Sequence, residues 1–166
     1  MKALVTGASS GIGKEIAYYL ASLGIDLIIV ARNKENLEKI KKDVNDNVKI
    51  ITMDLKIKEN VFKLYDIVKS DNIDILINNA GFGLFGTFDE TDLNRELEMI
   101  DLNVTTYHIL TKLFLKDFLK KDSGYILNVC SSAGFMAGPR LSTYYATKNY
   151  ITKLTLAINE ELRQKK

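Results

Sequence analysis

The stretch Thr6-Gly7-Ala8-Ser9-Ser10-Gly11-Ile12-Gly13 decides the fold, because it joins a short apolar run, Lys2 to Thr6, to a segment of helical periodicity. Glycines at such a junction let the backbone turn sharply between a strand and a helix. Outward from this loop the same alternation recurs, and it predicts five βα units of a parallel sheet covered by helices. The first helix is expected from about Gly11 to Leu23, with Ile12, Ile16, Leu20 and Leu23 on its inner face and Gly24 closing it. A second strand, Asp26 to Ala31, precedes a charged outer helix with a narrow stripe of Leu37, Ile40 and Val44. The third strand, Val48 to Met53, leads to a helix from about Glu59 to Ser70 with Val61, Leu64, Tyr65 and Val68 inward. Ile73 to Asn78 reads as the fourth strand, Asp92 to Leu119 as one long helix and Tyr125 to Cys130 as the fifth strand. A last helix begins near Leu141 and runs to the C-terminus.

Composition agrees with one domain over residues 1–166. With 46% hydrophobic and 27% charged residues, the chain carries enough apolar surface to offset the entropy of ordering. Its apolar runs are strand-length, well short of the roughly 20 residues of a membrane helix, so no membrane association is expected. No secretory leader is visible at Met1-Lys2, which makes the cytoplasm the expected compartment. A net charge of +2 without a basic run gives no reason to expect a nucleic-acid partner. One cysteine and one histidine speak against a disulfide or a structural metal site.

The glycine loop also has chemistry. A helix N-terminus offers unbonded N–H groups and the positive end of a dipole, and glycines let a phosphate approach the backbone. A glycine-rich turn alone would be weak evidence, but its place after the first strand is where open α/β sheets bind ligands. Gly7, Ser9, Ser10, Gly11, Ile12 and Gly13 are therefore read as a pyrophosphate cradle for a dinucleotide. Tyr144 and Lys148 stand four apart at the start of the last helix, one turn apart on one face. An ammonium so placed favours the charged form of a phenol and suits it to exchange a proton.

The G-x-x-x-G-x-G spacing of the loop resembles the short-chain dehydrogenase/reductase family, and four further motifs follow in that family's order. These are Asn78-Asn79-Ala80-Gly81 after the fourth strand, Asn103 within Leu102-Asn103-Val104, Ser131 after the fifth strand, and Tyr144 with Lys148 as Y-x-x-x-K. The resemblance implies a Rossmann-type doubly wound α/β fold and a hydride transfer between a nicotinamide and a carbonyl or secondary alcohol. It also implies roles: Tyr144 as general acid or base, Lys148 beside it and on the nicotinamide ribose, Ser131 orienting substrate, and Asn103 supporting a proton relay. Family spacing selects Tyr144 over Tyr145 and Ser131 over Ser132, leaving Ser132 as a turn cap. Asp54-Leu55 matches an adenine contact, and Asn79, Ala80 and Gly81 should line the cofactor and tie strands together.

By the same resemblance, Ala31-Arg32 after the second strand favours NADP(H), with NAD(H) the alternative, because an arginine suits a 2′-phosphate. Ser10 stands where some NADP-dependent relatives carry a basic residue. Cys130 is read as a core residue rather than a nucleophile, and His108 as a helix residue without catalytic duty.

Members of the family continue past the point matched by Lys166, so the reading is of a C-terminally truncated Rossmann domain lacking the last strands and most of a substrate pocket. Two functions remain open at this stage, an oxidoreductase and a non-catalytic NADP(H)-binding module. A homo-oligomer is expected from apolar residues in excess of one sheet face: Leu97, Val104, Leu110, Leu113 and Phe114 on the long helix, and Ile151, Leu154 and Ile158 on the last.

Overall fold

A computed structural model describes residues 1–44 and 48–164 of the chain. Five parallel strands, β1 (Lys2–Thr6), β2 (Asp26–Ala31), β3 (Val48–Thr52), β4 (Ile75–Asn78) and β5 (Tyr125–Asn128), form one sheet in the order β3-β2-β1-β4-β5. The chain winds outward from β1 to β3, then returns to the other side of β1 for β4 and β5. Strand order therefore reverses between β1 and β4, where Val5 pairs with Ile77, and the crevice this leaves at their carboxyl ends is where ligands of such sheets bind.

Helices α1 (Gly11–Ser22) and α2 (Lys34–Val44) cover one face, and α3 (Lys58–Val68) and α5 (Tyr107–Lys120) the other. Alternation along β1 feeds both layers: Leu4 packs with Leu64, Leu110 and Phe114, whereas Ala3 and Val5 pack with Ala17, Leu37 and Ile40. All of these are almost fully buried; a large aliphatic side chain so buried contributes about 1.5–3 kcal/mol. α4 (Leu93–Ile100) precedes α5, and α6 (Ser142–Arg163) follows a 3-10 turn, Ser132–Phe135. The expected run of α6 over 165–166 lies outside the described residues.

Several expected elements are corrected. The inner face of α1 is Gly13 and Ala17, with Ile16 and Leu20 half-buried, while Ile12 and Leu23 are 62% and 58% exposed. At Gly13 the helix meets the Asn79 side chain and Gly7 O with no room for a Cβ, while Ile16 and Leu20 pack at the margin of the core. The long helix is interrupted by a π-helical segment, Asp101–Thr106, between α4 and α5. β4 starts at Ile75 rather than Ile73, and β5 ends at Asn128, leaving Cys130 and Ser131 beyond the ladder. Leu110, Phe114 and Ile151, expected at an oligomer surface, are buried within the chain. No helix among the described residues is long and apolar enough to cross a membrane.

Candidate active site

A cavity of about 430 Å³ opens at the carboxyl ends of β1, β2, β3 and β4. At one side Gly7, Ser9, Ser10, Gly11 and Ile12 line it, and Arg32, Asp54 and Leu55 line the next. Asn79, Ala80 and Gly81 form its floor, and Tyr144 and Lys148 close the far end. Three expected residues are not among those lining it: Gly13 and Asn103 are buried, and Ser131 is half-buried. The lining also includes Met53, Phe82, Gly83, Leu102, Val129 and Cys130. Met53, Phe82, Gly83 and Val129 could have been anticipated, because each lies within a few residues of the carboxyl end of a strand, and Leu102 adjoins Asn103 in its motif.

The cradle is held by one hydroxyl and one amide. Thr6 Oγ1 donates to Ile77 O at 3.3 Å and accepts from the backbone N–H groups of Asn79 and Ala80 at 3.0 and 3.2 Å. The Asn79 side chain donates back to Thr6 O and Gly7 O at 3.0 and 3.2 Å, so the loops after β1 and β4 are cross-linked. Gly7 has φ of +66°, and a Cβ there would stand 2.7 Å from Ala80 Cα. Ser10, which caps α1, makes no side-chain bond to the helix, and the first-turn N–H groups have no acceptor within the helix. This is a cradle with open space at a positive helix end, which fits a pyrophosphate. Asp54 lines the cavity and also caps the turn into α3, accepting from Lys56 N at 3.0 Å.

At the far end, Lys148 is 5% exposed. Its Nζ donates to Val129 O at 3.1 Å and lies 5.9 Å from the Tyr144 ring centre and 5.5 Å from that of Tyr107. Burial pushes the lysine below its ordinary pKa, opposed by the field of the Cys130 thiol. Burial likewise pushes Tyr107 upward, keeping it a neutral donor, its hydroxyl 3.4 Å from the same carbonyl of Val129. Tyr144 packs on Gly83, where a Cβ would stand 3.3 Å from its ring. Tyr145 packs on Gly138 and lines a second cavity, of about 560 Å³, with Met136, Pro139 and Asn149. The adjacent tyrosines thus face different spaces.

Asn103 is fully buried and its amide is engaged throughout: it donates to Phe82 O at 2.9 Å and Thr147 Oγ1 at 3.2 Å, and accepts from Phe82 N at 3.1 Å. The π segment carries it across to join the loop after β4 to α6. Ser131 caps the 3-10 turn, its hydroxyl oxygen accepting from Ala133 N at 3.2 Å, the cap expected of Ser132. That bond uses a lone pair and leaves the hydroxyl proton to donate elsewhere. Cys130 borders the cavity with its thiol turned to Lys148 O and Thr152 Oγ1, at 3.2 and 2.6 Å. His108 lies on the exposed side of α5, 2.8 Å from the Tyr150 hydroxyl.

A family model described as short chain dehydrogenase matches residues 1–166. An uncharacterised oxidoreductase of Staphylococcus epidermidis is 35% identical over 163 residues, which cover 96% of this chain and 70% of that protein. The human very-long-chain 3-oxoacyl-CoA reductase is 30% identical over 171 residues, covering 98% of this chain and 55% of its own length. Among solved structures, a short-chain dehydrogenase from Sphingobium yanoikuyae in complex with NADPH superimposes with a TM-score of 0.92 at 33% identity, over 98% of this chain and 66% of that one. The chain therefore spans between about half and seven tenths of the length of these relatives.

Proposed function

The chain belongs to the short-chain dehydrogenase family, and from that premise we propose that it binds NADP(H) and transfers a hydride between the nicotinamide and a small-molecule carbonyl or secondary alcohol. One observation carries the reading: a single cavity runs from the Gly7–Ile12 cradle and Arg32 to Tyr144 and Lys148. A dinucleotide bound with its pyrophosphate on α1 would extend toward Tyr144. The NADPH held by the Sphingobium relative supports the choice of cofactor.

When bound, the nicotinamide supplies the hydride for reduction or accepts it for oxidation. The protein's residues handle binding and the proton. Gly11 and Ile12 offer backbone N–H groups to phosphate oxygens, and Arg32 offers a bidentate donor to a 2′-phosphate. Tyr144 gives its phenolic proton to the substrate oxygen as the carbonyl is reduced, and takes it back in the reverse direction. Lys148, fixed by Val129 O, stabilises the negative charge that develops on the Tyr144 oxygen. The Ser131 hydroxyl donates to the substrate oxygen and orients it. Asn103 ties Phe82 to Thr147 of α6.

The test is to incubate the chain with NADPH and a panel of ketones and aldehydes, following NADPH absorbance. Turnover is expected, Tyr144→Phe should lower kcat by about 10²–10⁴-fold with cofactor affinity intact, and Tyr145→Phe should change kcat little. Absence of NADPH binding by the wild type would overturn the proposal, and a severe Tyr145→Phe effect would overturn the assignment of the proton donor.

A further inference from the structure

Between β5 and α6 the last backbone bond to the sheet runs from Val129 N to Asn78 O at 2.8 Å, and the chain then passes through Cys130, Ser131 and the 3-10 turn. Phe135, Met136 and Ala137 in this segment are exposed. Something other than the sheet must fix Ser131 relative to Tyr144 and Lys148. The Asn149 side chain, next to Lys148 on α6, donates to Ala133 O at 2.9 Å, Met136 O at 2.9 Å and Tyr145 O at 3.0 Å. Two N–H bonds shared among three carbonyls tie both ends of the turn to the first coils of α6.

A second contact works one coil further on. Thr152 Oγ1 donates to Lys148 O at 2.9 Å and meets the Cys130 thiol. Gly134, in the middle of the turn, sits directly on this cluster: a Cβ there would collide with Thr152 Oγ1 and stand 2.8 Å from Cys130 Sγ and 3.1 Å from Lys148 O. The turn bearing Ser131 is thus pinned to α6 by an amide at its ends and by close packing at its centre.

We propose that Asn149, assisted by Thr152, is a positioning residue that sets the Ser131 turn in register with Tyr144 and Lys148. It touches neither the cavity end formed by those residues nor the cradle. This rests on the reading of Ser131, Tyr144 and Lys148 as the catalytic set, but the clamp has its own consequence in the protein without substrate. A hydroxyl and a phenol that must meet one substrate oxygen tolerate little misplacement, since an error of about 1 Å can cost roughly 100-fold in rate.

The experiment compares the wild type with Asn149→Leu, which keeps the volume and removes the donor. Amide hydrogen exchange read by mass spectrometry should rise about tenfold or more over residues 131–140 and stay unchanged over β1, β2 and β4. With NADPH and a substrate found in the panel, kcat should fall roughly 10–100-fold at unchanged KM for NADPH. Unchanged exchange over 131–140 overturns the clamp, as does a loss confined to cofactor KM. If the wild type binds NADPH but turns nothing over, the catalytic reading fails while the exchange comparison still decides the clamp. Should Asn149→Leu lose protection throughout the sheet, Thr152→Val decides by the same readouts, with Thr152→Ser expected to restore the wild-type behaviour.

Discussion

The side-chain amide of Asn79 occupies the place where a Cβ on Gly13 would stand, and Gly7 O lies 2.5 Å from the same point. Asn79 cannot step aside cheaply, because that amide holds Thr6 O and Gly7 O. Gly13 therefore serves the cavity from behind, letting α1 approach the cross-link between the loops after β1 and β4. Gly13→Ala should destabilise the fold by about 2 kcal/mol and lower Tm by about 4–8 °C, with a matching loss of NADPH affinity. Thermal melting and a fluorescence titration check both; a variant that melts and binds like the wild type would show that the amide has room to move.

Asp74 joins four elements at the other end of the sheet. Its carboxylate accepts from Lys2 N at 2.9 Å and from Lys121 Nζ at 3.0 Å, and its carbonyl accepts from Tyr125 N at 2.8 Å. The Lys2 N–H, then the Lys121 ammonium, hold this carboxyl below its ordinary pKa. A group depressed in the folded state contributes stability that is complete above its unfolded value, about 3.9 for an aspartate, and is lost as pH falls through the folded value. Asp74→Asn should cost about 1 kcal/mol at neutral pH, allowing for partial exposure of the pair. The deficit should shrink below about pH 4. Urea melts of both proteins across that window test it; a pH-independent deficit would place the loss in packing rather than charge.

The strand ends and their loops were legible because their chemistry is local. Gly7, Asn79 and Arg32 each sit within a residue or two of a strand's carboxyl end, and topology alone brings those ends together. The buried face of α1 departs from its apolar periodicity for a physical reason. Apolar periodicity favours Ile12 and Leu23, whereas a helix pressed onto the sheet needs Gly13 and Ala17. The π segment was invisible because one added residue per turn hardly disturbs an apolar pattern, yet it delivers Asn103 to Phe82. Which of two adjacent serines caps a turn depends on the backbone angle at the end of β5, and the cap fell to Ser131.

Arg32 borders the cavity on an exposed strand end, and Ala31 before it brings no carboxylate to oppose a phosphate. A charge-assisted contact of this kind is worth roughly 1.5–3 kcal/mol, so NADPH should bind about 10–100-fold more tightly than NADH. Arg32→Ala should remove most of that difference by weakening NADPH and leaving NADH nearly unchanged. Calorimetric titration of both cofactors against both proteins checks it, and equal wild-type affinities would refute the NADP(H) assignment.

Self-association is expected from apolar surfaces left uncovered among the described residues. With Leu110, Phe114 and Ile151 committed to the core, the apolar excess reduces to α4 and α6, where Leu97 is 49%, Ile100 37% and Leu156 55% exposed. On β5, at the edge of the sheet, Tyr125 and Leu127 are 65% and 48% exposed on one face. Their neighbour Ile126 packs into the core from the other face. An edge strand with unpaired backbone groups and a bare apolar face is a template for another chain. The helix patch, by contrast, can pair with its own copy about a two-fold axis. The 166-residue chain is therefore expected to associate at micromolar concentration. Charging the helix patch by Leu97→Glu should shift a defined dimer toward monomer, whereas Leu127→Lys should suppress open-ended aggregation and leave a dimer intact. Sedimentation velocity over a dilution series separates the two surfaces, and an 18.7 kDa monomer at every concentration would sink both.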